Sequence, residues 1–229
     1  MGRTRIGHFR AVLFDLDGTL VDTAPDMVAV LQDLQRDHGQ AAISYDVARM
    51  SVSNGALGLI RIAFPDADEE QRSDLHQQYL RRYTANVCRQ SAVFPGLEAL
   101  LDRLDAASRP WGIVTNKPAR MTDPLLNKLG LANRSACIVS GDTLKQRKPH
   151  PAPLLHACDL AGFDPKSTVY VGDAERDVEA GRRAGMATIA VSYGYVMADD
   201  DPGSWGADRI AADTTELLKM ILEGVNLEP

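Results

Sequence analysis

Short apolar runs, each ending abruptly in polar or acidic residues and followed by a helical stripe, constrain this chain more than any other feature. Ala11-Val12-Leu13-Phe14 is the first of them. It is apolar at consecutive positions, as a strand buried on both faces must be, and it stops at Asp15. Trp111 to Val114, Cys137 to Val139, Thr168 to Val171 and Thr188 to Val191 repeat the pattern. Between and after these runs lie helical stretches: Leu97, Leu100, Leu101 and Leu104 on one face, a helix around Leu125 to Leu129, another through Leu154 to Ala161, and a closing helix over Thr214 to Glu223 with Leu217, Leu218, Ile221 and Leu222 turned to the core. Such alternation predicts an α/β chain with a parallel sheet covered by helices on both faces.

One stretch breaks the rhythm. A helix is expected after Asp22 or Thr23, either of which can cap it, with Pro25 in its first turn, Met27, Val30, Leu31 and Leu34 on one face, and an end at Gly39. From Ser44 to Asn86 the pattern stays helical, with breaks at Asn54-Gly55 and Phe64-Pro65 and no convincing strand. A chain of 229 residues is long enough for a core and a smaller insertion. The expected organisation is therefore a Rossmann-like core formed by residues 1–21 and 92–229, with a helical cap domain over residues 22–91 inserted into it.

Composition narrows the function. A formal charge of -6, without a Lys/Arg block, disfavours nucleic acid as a partner. The basic opening MGRTRIGHFR lacks an apolar stretch of signal-peptide length, Ile6 replaces the Ser or Thr of a myristoylation signal, and no later run reaches the length of a membrane span. A cytoplasmic protein without a membrane partner is expected, and the sequence leaves monomer and homodimer equally open. Cys88, Cys137 and Cys158 are far apart and form no Cys-x-x-Cys pair, so buried reduced thiols are expected. The histidines His8, His38, His76, His150 and His156 show no metal-ligand spacing, and surface or capping roles are expected for them.

In an open parallel sheet, ligands bind beyond the carboxyl ends of the strands, so the residues there carry the chemistry. The first run leads into Asp15-Leu16-Asp17-Gly18-Thr19. Two carboxylates crowded at one strand end repel each other unless a cation or a proton lies between them, and each can then take a separate role. A lone Asp-x-Asp is more often turn material, and the other strand ends change that balance. Thr115-Asn116-Lys117 brings a hydroxyl, an amide and backbone N–H groups able to bind phosphate oxygens. Lys148-Pro149 brings a positive charge on a stiffened backbone. Gly172-Asp173-Ala174-Glu175-Arg176-Asp177 adds further acids, and a hard oxygen ligand set of this kind suits magnesium.

This combination, in chain order at four strand ends, resembles the haloacid dehalogenase superfamily of phosphotransferases over nearly the whole chain. The resemblance implies a magnesium-dependent phosphatase acting on a small phosphorylated metabolite through a phospho-aspartate. Asp15 would be the nucleophile and Asp17 the general acid and base. Thr19, Thr115 and Asn116 would hold the phosphoryl group, and Lys148 would neutralise charge on it and on Asp15. Asp15, the Asp17 carbonyl, Asp173 and Asp177 would ligate the metal. An acid at position 17 also disfavours the dehalogenase branch, and the inserted helices resemble the family's helical cap.

Two branches share the motifs. Val21-Asp22-Thr23-Ala24-Pro25, Val114-Thr115-Asn116-Lys117-Pro118 and Gly141-Asp142 before Lys148-Pro149-His150-Pro151 are similar to phosphoglycolate phosphatases. Ser53-Asn54-Gly55 resembles their Gly-Asn-Gly cap loop with Ser53 in place of the first glycine, which makes Asn54 and Gly55 candidate substrate contacts. The tail, Tyr193-Gly194-Tyr195 followed by Trp205-Gly206-Ala207-Asp208, is similar to N-acetylmuramate 6-phosphate phosphatases. Trp205 is read as core packing in preference to a substrate contact, and Arg61 is a candidate cation for a substrate carboxylate. No Gly-x-x-x-x-Gly-Lys or Gly-x-Gly-x-x-Gly follows any strand, which disfavours a P-loop kinase or a nicotinamide enzyme. A phosphomutase would keep the aspartyl-phosphate, and a non-catalytic relative would have lost Asp15, Asp17, Lys148 or Asp173.

Overall fold

The computed structural model describes residues 8–197 and 199–227; the first seven residues of the basic leader lie outside them. Strand β1 (Ala11–Phe14) is buried along its length. After it come the two residues of β2 (Val21–Asp22), then α1 (Ala24–Asp37), α2 (Tyr45–Met50), a 3-10 turn at Val52–Asn54, α3 (Gly55–Ala63) and α4 (Glu69–Asn86). The chain returns through β3 (Ala92–Val93), followed by α5 (Leu97–Ala106), β4 (Trp111–Val114), α6 (Ala119–Lys128), β5 (Ile138–Val139) and α7 (Ala152–Ala161). It closes with β6 (Thr168–Gly172), α8 (Glu175–Arg183), β7 (Ala187–Val191), β8 (Arg209–Ala211) and α9 (Thr214–Gly224).

The parallel sheet runs β5-β4-β1-β6-β7-β8. From β1 the chain steps outward to β4 and β5, then crosses back to β6, β7 and β8 on the other side. β1 is thus the point where the winding reverses, and the crevice at such a point receives residues from β1, β4 and β6 together. That topology explains how acids far apart in sequence meet.

The helical insertion is as the periodicity predicts. Leu31 and Leu34 of α1, Leu59 and Ile60 of α3, and Leu75, Tyr79 and Tyr83 of α4 are buried in it, the last three recurring every fourth residue. Asp68 and Gln71 form a reciprocal capping box at the start of α4. α3 begins at Gly55 and ends before Phe64, where the sequence breaks fall.

Both crossings between core and insertion are held by side chains. The Asp26 carboxylate accepts the N–H groups of Arg89, Gln90 and Ser91 at 2.9 Å each, and the Ser91 hydroxyl at 2.6 Å. The Tyr195 hydroxyl accepts the first free amides of α1, Thr23 at 2.7 Å and Ala24 at 2.9 Å, and donates to Asp22 at 2.7 Å. Tyr195 thereby does the work of an N-cap side chain, because the Thr23 hydroxyl is turned elsewhere.

Some elements differ from the sequence expectation. α6 starts at Ala119, not Leu125, and runs through Pro124, whose missing N–H reads in sequence as a boundary. β2 and β3 pair antiparallel, Val21 opposite Val93, yet two residues are too few to show an alternation. α8 carries a single large apolar residue, Val178, so its periodicity is invisible. All three cysteines are free, but only Cys137 and Cys158 are buried; Cys88 is half-buried.

Candidate active site

Asp15 leaves β1 directly into the crevice, where its carboxylate is buried. Lys148, also buried, places Nζ 2.7 Å from Asp15 Oδ1, 2.7 Å from Asp177 Oδ1 and 2.8 Å from the Tyr170 hydroxyl. The Tyr170 hydroxyl in turn donates to the Val114 carbonyl at 2.9 Å. Burial alone would lower the Lys148 ammonium below the ordinary lysine value, but the Asp15 and Asp177 carboxylates outweigh it and hold it above that value. The lysine backbone is fixed as well: Asn116 donates Nδ2 to the Lys148 carbonyl and accepts the Lys148 N–H, both at 3.1 Å.

Asp15, Asp173 and Asp177 each offer an oxygen within 4.8 Å of the others, all buried. Tyr195 donates its N–H to Asp173 Oδ2 at 2.8 Å and Ala174 donates to Asp177 Oδ2 at 3.2 Å, which aims the two acids. The approach is close enough to demand glycine at position 18: its φ is +83°, and a Cβ there would stand 2.1 Å from Asp173 Oδ2.

Burial, with Asp177 adding to it and Lys148 opposing it, raises the Asp15 carboxyl to about 6. Burial and the charges of Asp15 and Asp177 raise Asp173 to about 8. Among the described residues, Lys148 is the only cation hydrogen-bonded within this cluster, so a divalent cation with oxygen ligands fits what the donor set lacks. Both carboxyls are raised, so the folded chain retains protons that the unfolded chain releases from about pH 4 upward. Without a metal, this part of the stability therefore falls as pH rises toward 8, and a bound cation removes the repulsion. Saturating Mg2+ is accordingly expected to raise Tm more at pH 8 than at pH 5, as measured by differential scanning calorimetry. Equal gains at the two pH values would contradict this.

Asp17 stands apart from the three acids. Its Oδ1 accepts from Lys117 Nζ at 2.7 Å and from the Thr23 hydroxyl at 2.6 Å. Burial works against the charge of Lys117, but Asp17 prevails and keeps the ammonium well above its usual range. Lys117 also lies 4.7 Å above the Tyr83 ring of α4.

Above these groups is a cavity of about 600 Å³, whose floor includes Asp15, Asp17, Thr115, Asn116 and Lys117 and whose roof includes Ser53, Asn54, Gly55, His76 and Tyr83. Arg176 spans the two walls, donating Nη2 to the Ser53 carbonyl at 3.0 Å and to its hydroxyl at 3.1 Å. Asn54 reaches out of the insertion to the core, its Nδ2 donating to Met197 Sδ at 3.5 Å.

Most of the residues singled out from sequence meet here, with exceptions. Thr19 is fully buried behind the acids, its hydroxyl 3.5 Å from Asp173 Oδ1, and does not line the cavity. Arg61 lines a separate pocket of about 150 Å³ between α3 and α4. Trp205 is buried beside Val178 and Ala190 and donates to Asp200 at 2.8 Å, as expected of a packing residue. His150 accepts from the Ala152 N–H in a capping role, whereas His76 lines the cavity. His76 thus departs from the surface or capping role expected of it, and Lys117 and Arg176 have no role readable from sequence, because their positions depend on which loops face one another.

The geometry has counterparts among known proteins. The model of a family described as haloacid dehalogenase-like hydrolase matches residues 12–191. The chain is 42% identical over 217 residues to the N-acetylmuramic acid 6-phosphate phosphatase of Pseudomonas putida, covering 93% of this chain and 96% of the relative. It is 45% identical over 208 residues to the phosphoglycolate phosphatase of Xanthomonas campestris, covering 91% and 94%. Among solved structures, that of a predicted phosphoglycolate phosphatase from Haemophilus somnus superposes with a TM-score of 0.81 at 29% identity, covering 96% of this chain and 99% of the other.

Proposed function

The chain belongs to the haloacid dehalogenase-like hydrolase family and is a phosphatase of that family, and on that premise we propose that it hydrolyses the phosphate monoester of a small carboxylic acid through a phospho-aspartate on Asp15. The observation that carries this reading is the buried Asp15 carboxylate paired with Lys148 at the floor of a cavity that also exposes Thr115, Asn116 and Asp17. Asp15 attacks phosphorus as the ester P–O bond breaks, and Asp17 gives a proton to the departing oxygen. In the second half Asp17 takes a proton from the attacking water, phosphate leaves and the Asp15 carboxylate is restored. Thr115 and the Asn116 backbone orient the phosphoryl group, while Lys148 offsets its charge. Asp15, Asp173, Asp177 and the Asp17 carbonyl would hold magnesium, which when bound supplies further charge neutralisation at the phosphoryl oxygens.

Residues 22–91 form the lid in this reading, and the Arg176–Ser53 and Asn54–Met197 contacts tie it to the core. We place the activity in the cytoplasm, on small phosphorylated metabolites. The two relatives are named for substrates that share a phosphate ester and a carboxylate, 2-phosphoglycolate and N-acetylmuramate 6-phosphate. The size of the cavity and its apolar walls at Val52, Leu57, Leu80 and Met121 favour the larger, amino-sugar acid, which has surface to lay against them.

A panel of phosphate esters at fixed Mg2+, with free phosphate as readout, tests this. Both acids are expected to exceed p-nitrophenyl phosphate in kcat/KM, N-acetylmuramate 6-phosphate by more, and excess chelator is expected to abolish release from all. If neither acid exceeded p-nitrophenyl phosphate, the substrate assignment would fall; if no ester released phosphate, the reaction itself would.

A further inference from the structure

The cavity holds more positive charge than the phosphoryl chemistry uses. Among the described residues four cationic side chains line it: Lys117, Arg120, Arg147 and Arg176. Three are engaged. Lys117 is paired with Asp17, Arg176 donates to Ser53, and Arg147 donates Nε to the Gly141 carbonyl at 2.6 Å. Arg120 makes no hydrogen bond or salt bridge among the described residues.

Its place in the fold is informative. Arg120 is the second residue of α6, so it is carried by the same turn that sets Thr115, Asn116 and Lys117 at the floor of the cavity. From the helical wall, His76 of α4 lines the same space, half-buried and without a hydrogen-bond partner among the described residues. Burial and the nearby charge of Arg120 both push the His76 imidazole below its ordinary value, so the pair lacks an anion between them. No carboxylate of the described chain fills that role. The acids of the cavity, Asp15 and Asp17, are already paired with Lys148 and Lys117.

We propose that Arg120 is the specificity-determining residue for the substrate carboxylate, which it binds from the core side while His76 donates to the same group from the lid. This rests on the reading of the substrate as a phosphorylated carboxylic acid. The arrangement makes the substrate itself the bridge between core and lid at this point, so an ester without a carboxylate lacks one of the contacts that closes the site.

The test compares N-acetylmuramate 6-phosphate with N-acetylglucosamine 6-phosphate, the same sugar ester without the lactyl carboxylate, and adds 2-phosphoglycolate and p-nitrophenyl phosphate. Replacing one partner of a charge-assisted contact loses roughly tenfold to a hundredfold. Arg120→Gln is expected to raise KM for the two carboxylate esters by that factor, to leave kcat/KM for the other two within about twofold, and Arg120→Lys to recover part of the loss. His76→Gln is expected to show the same selectivity at smaller amplitude. Uniform loss across all four esters, or none, would overturn the assignment while leaving the phosphatase reading intact. A parent enzyme indifferent to the carboxylate would overturn the substrate reading and this inference together.

Discussion

Asp15→Asn is expected to lower kcat by roughly five to six decades and to leave the fold intact, the scale seen when an enzyme loses its nucleophile. The amide keeps the shape of the side chain but cannot form the bond to phosphorus. Stability gives the complementary reading. Asp15 is a buried carboxylate whose pKa stands at about 6, so at neutral pH its charge is held against the cost of burial and against Asp177. Removing that charge leaves Lys148 still paired with Asp177 at 2.7 Å. The variant should therefore unfold at a Tm no lower than the parent's in metal-free buffer at pH 8. Phosphate release within a hundredfold of the parent would remove Asp15 from this role, and a Tm several degrees lower would overturn the reading of its buried charge as a cost to stability.

The site was legible from sequence to the extent that its residues follow buried runs directly. Asp15 comes one residue after Phe14, Thr115 one after Val114, and Asp173 one after Gly172, so identifying the strands locates them. Lys148 requires more, since β5 ends at Val139 and the connection is brought back to the sheet by tertiary contacts, among them the exchange of hydrogen bonds with Asn116. What depends on one loop facing another was not legible. Nothing local in Thr115-Asn116-Lys117 says that Lys117 folds under α4 to meet Asp17, or that Arg176 crosses to Ser53. Arg61 illustrates the converse. Its helix follows from the sequence pattern, but the side of α3 that meets the cavity carries Ala56 and Leu57, and Arg120 of α6 lines the cavity instead. Tyr195 stands in the sequence only as part of a tail motif, yet its hydroxyl caps α1 and its N–H aims Asp173, two structural tasks from one residue.

Asp17→Asn is expected to slow turnover by roughly two to four decades, the range for a lost general acid and base. The geometry says how that loss divides. Asp17 Oδ1 accepts from both the Lys117 ammonium and the Thr23 hydroxyl, which hold the side chain at the cavity floor where the leaving oxygen and, later, the attacking water pass. Giving a proton to the leaving oxygen is the first task lost and activating water the second, and the leaving group decides which of them limits. An ester whose leaving group is already a good one needs no proton. With p-nitrophenyl phosphate the first step should survive the substitution and the second should not, so phospho-Asp15 accumulates and a rapid burst of p-nitrophenol precedes slow turnover. With an alkyl ester such as a sugar phosphate both steps suffer, and no burst is expected. Acid-quenched mass spectrometry would detect the added phosphoryl mass in the first case alone. A burst with both esters would show that Asp17 acts only as the base, and an unchanged rate with both would show that it acts as neither.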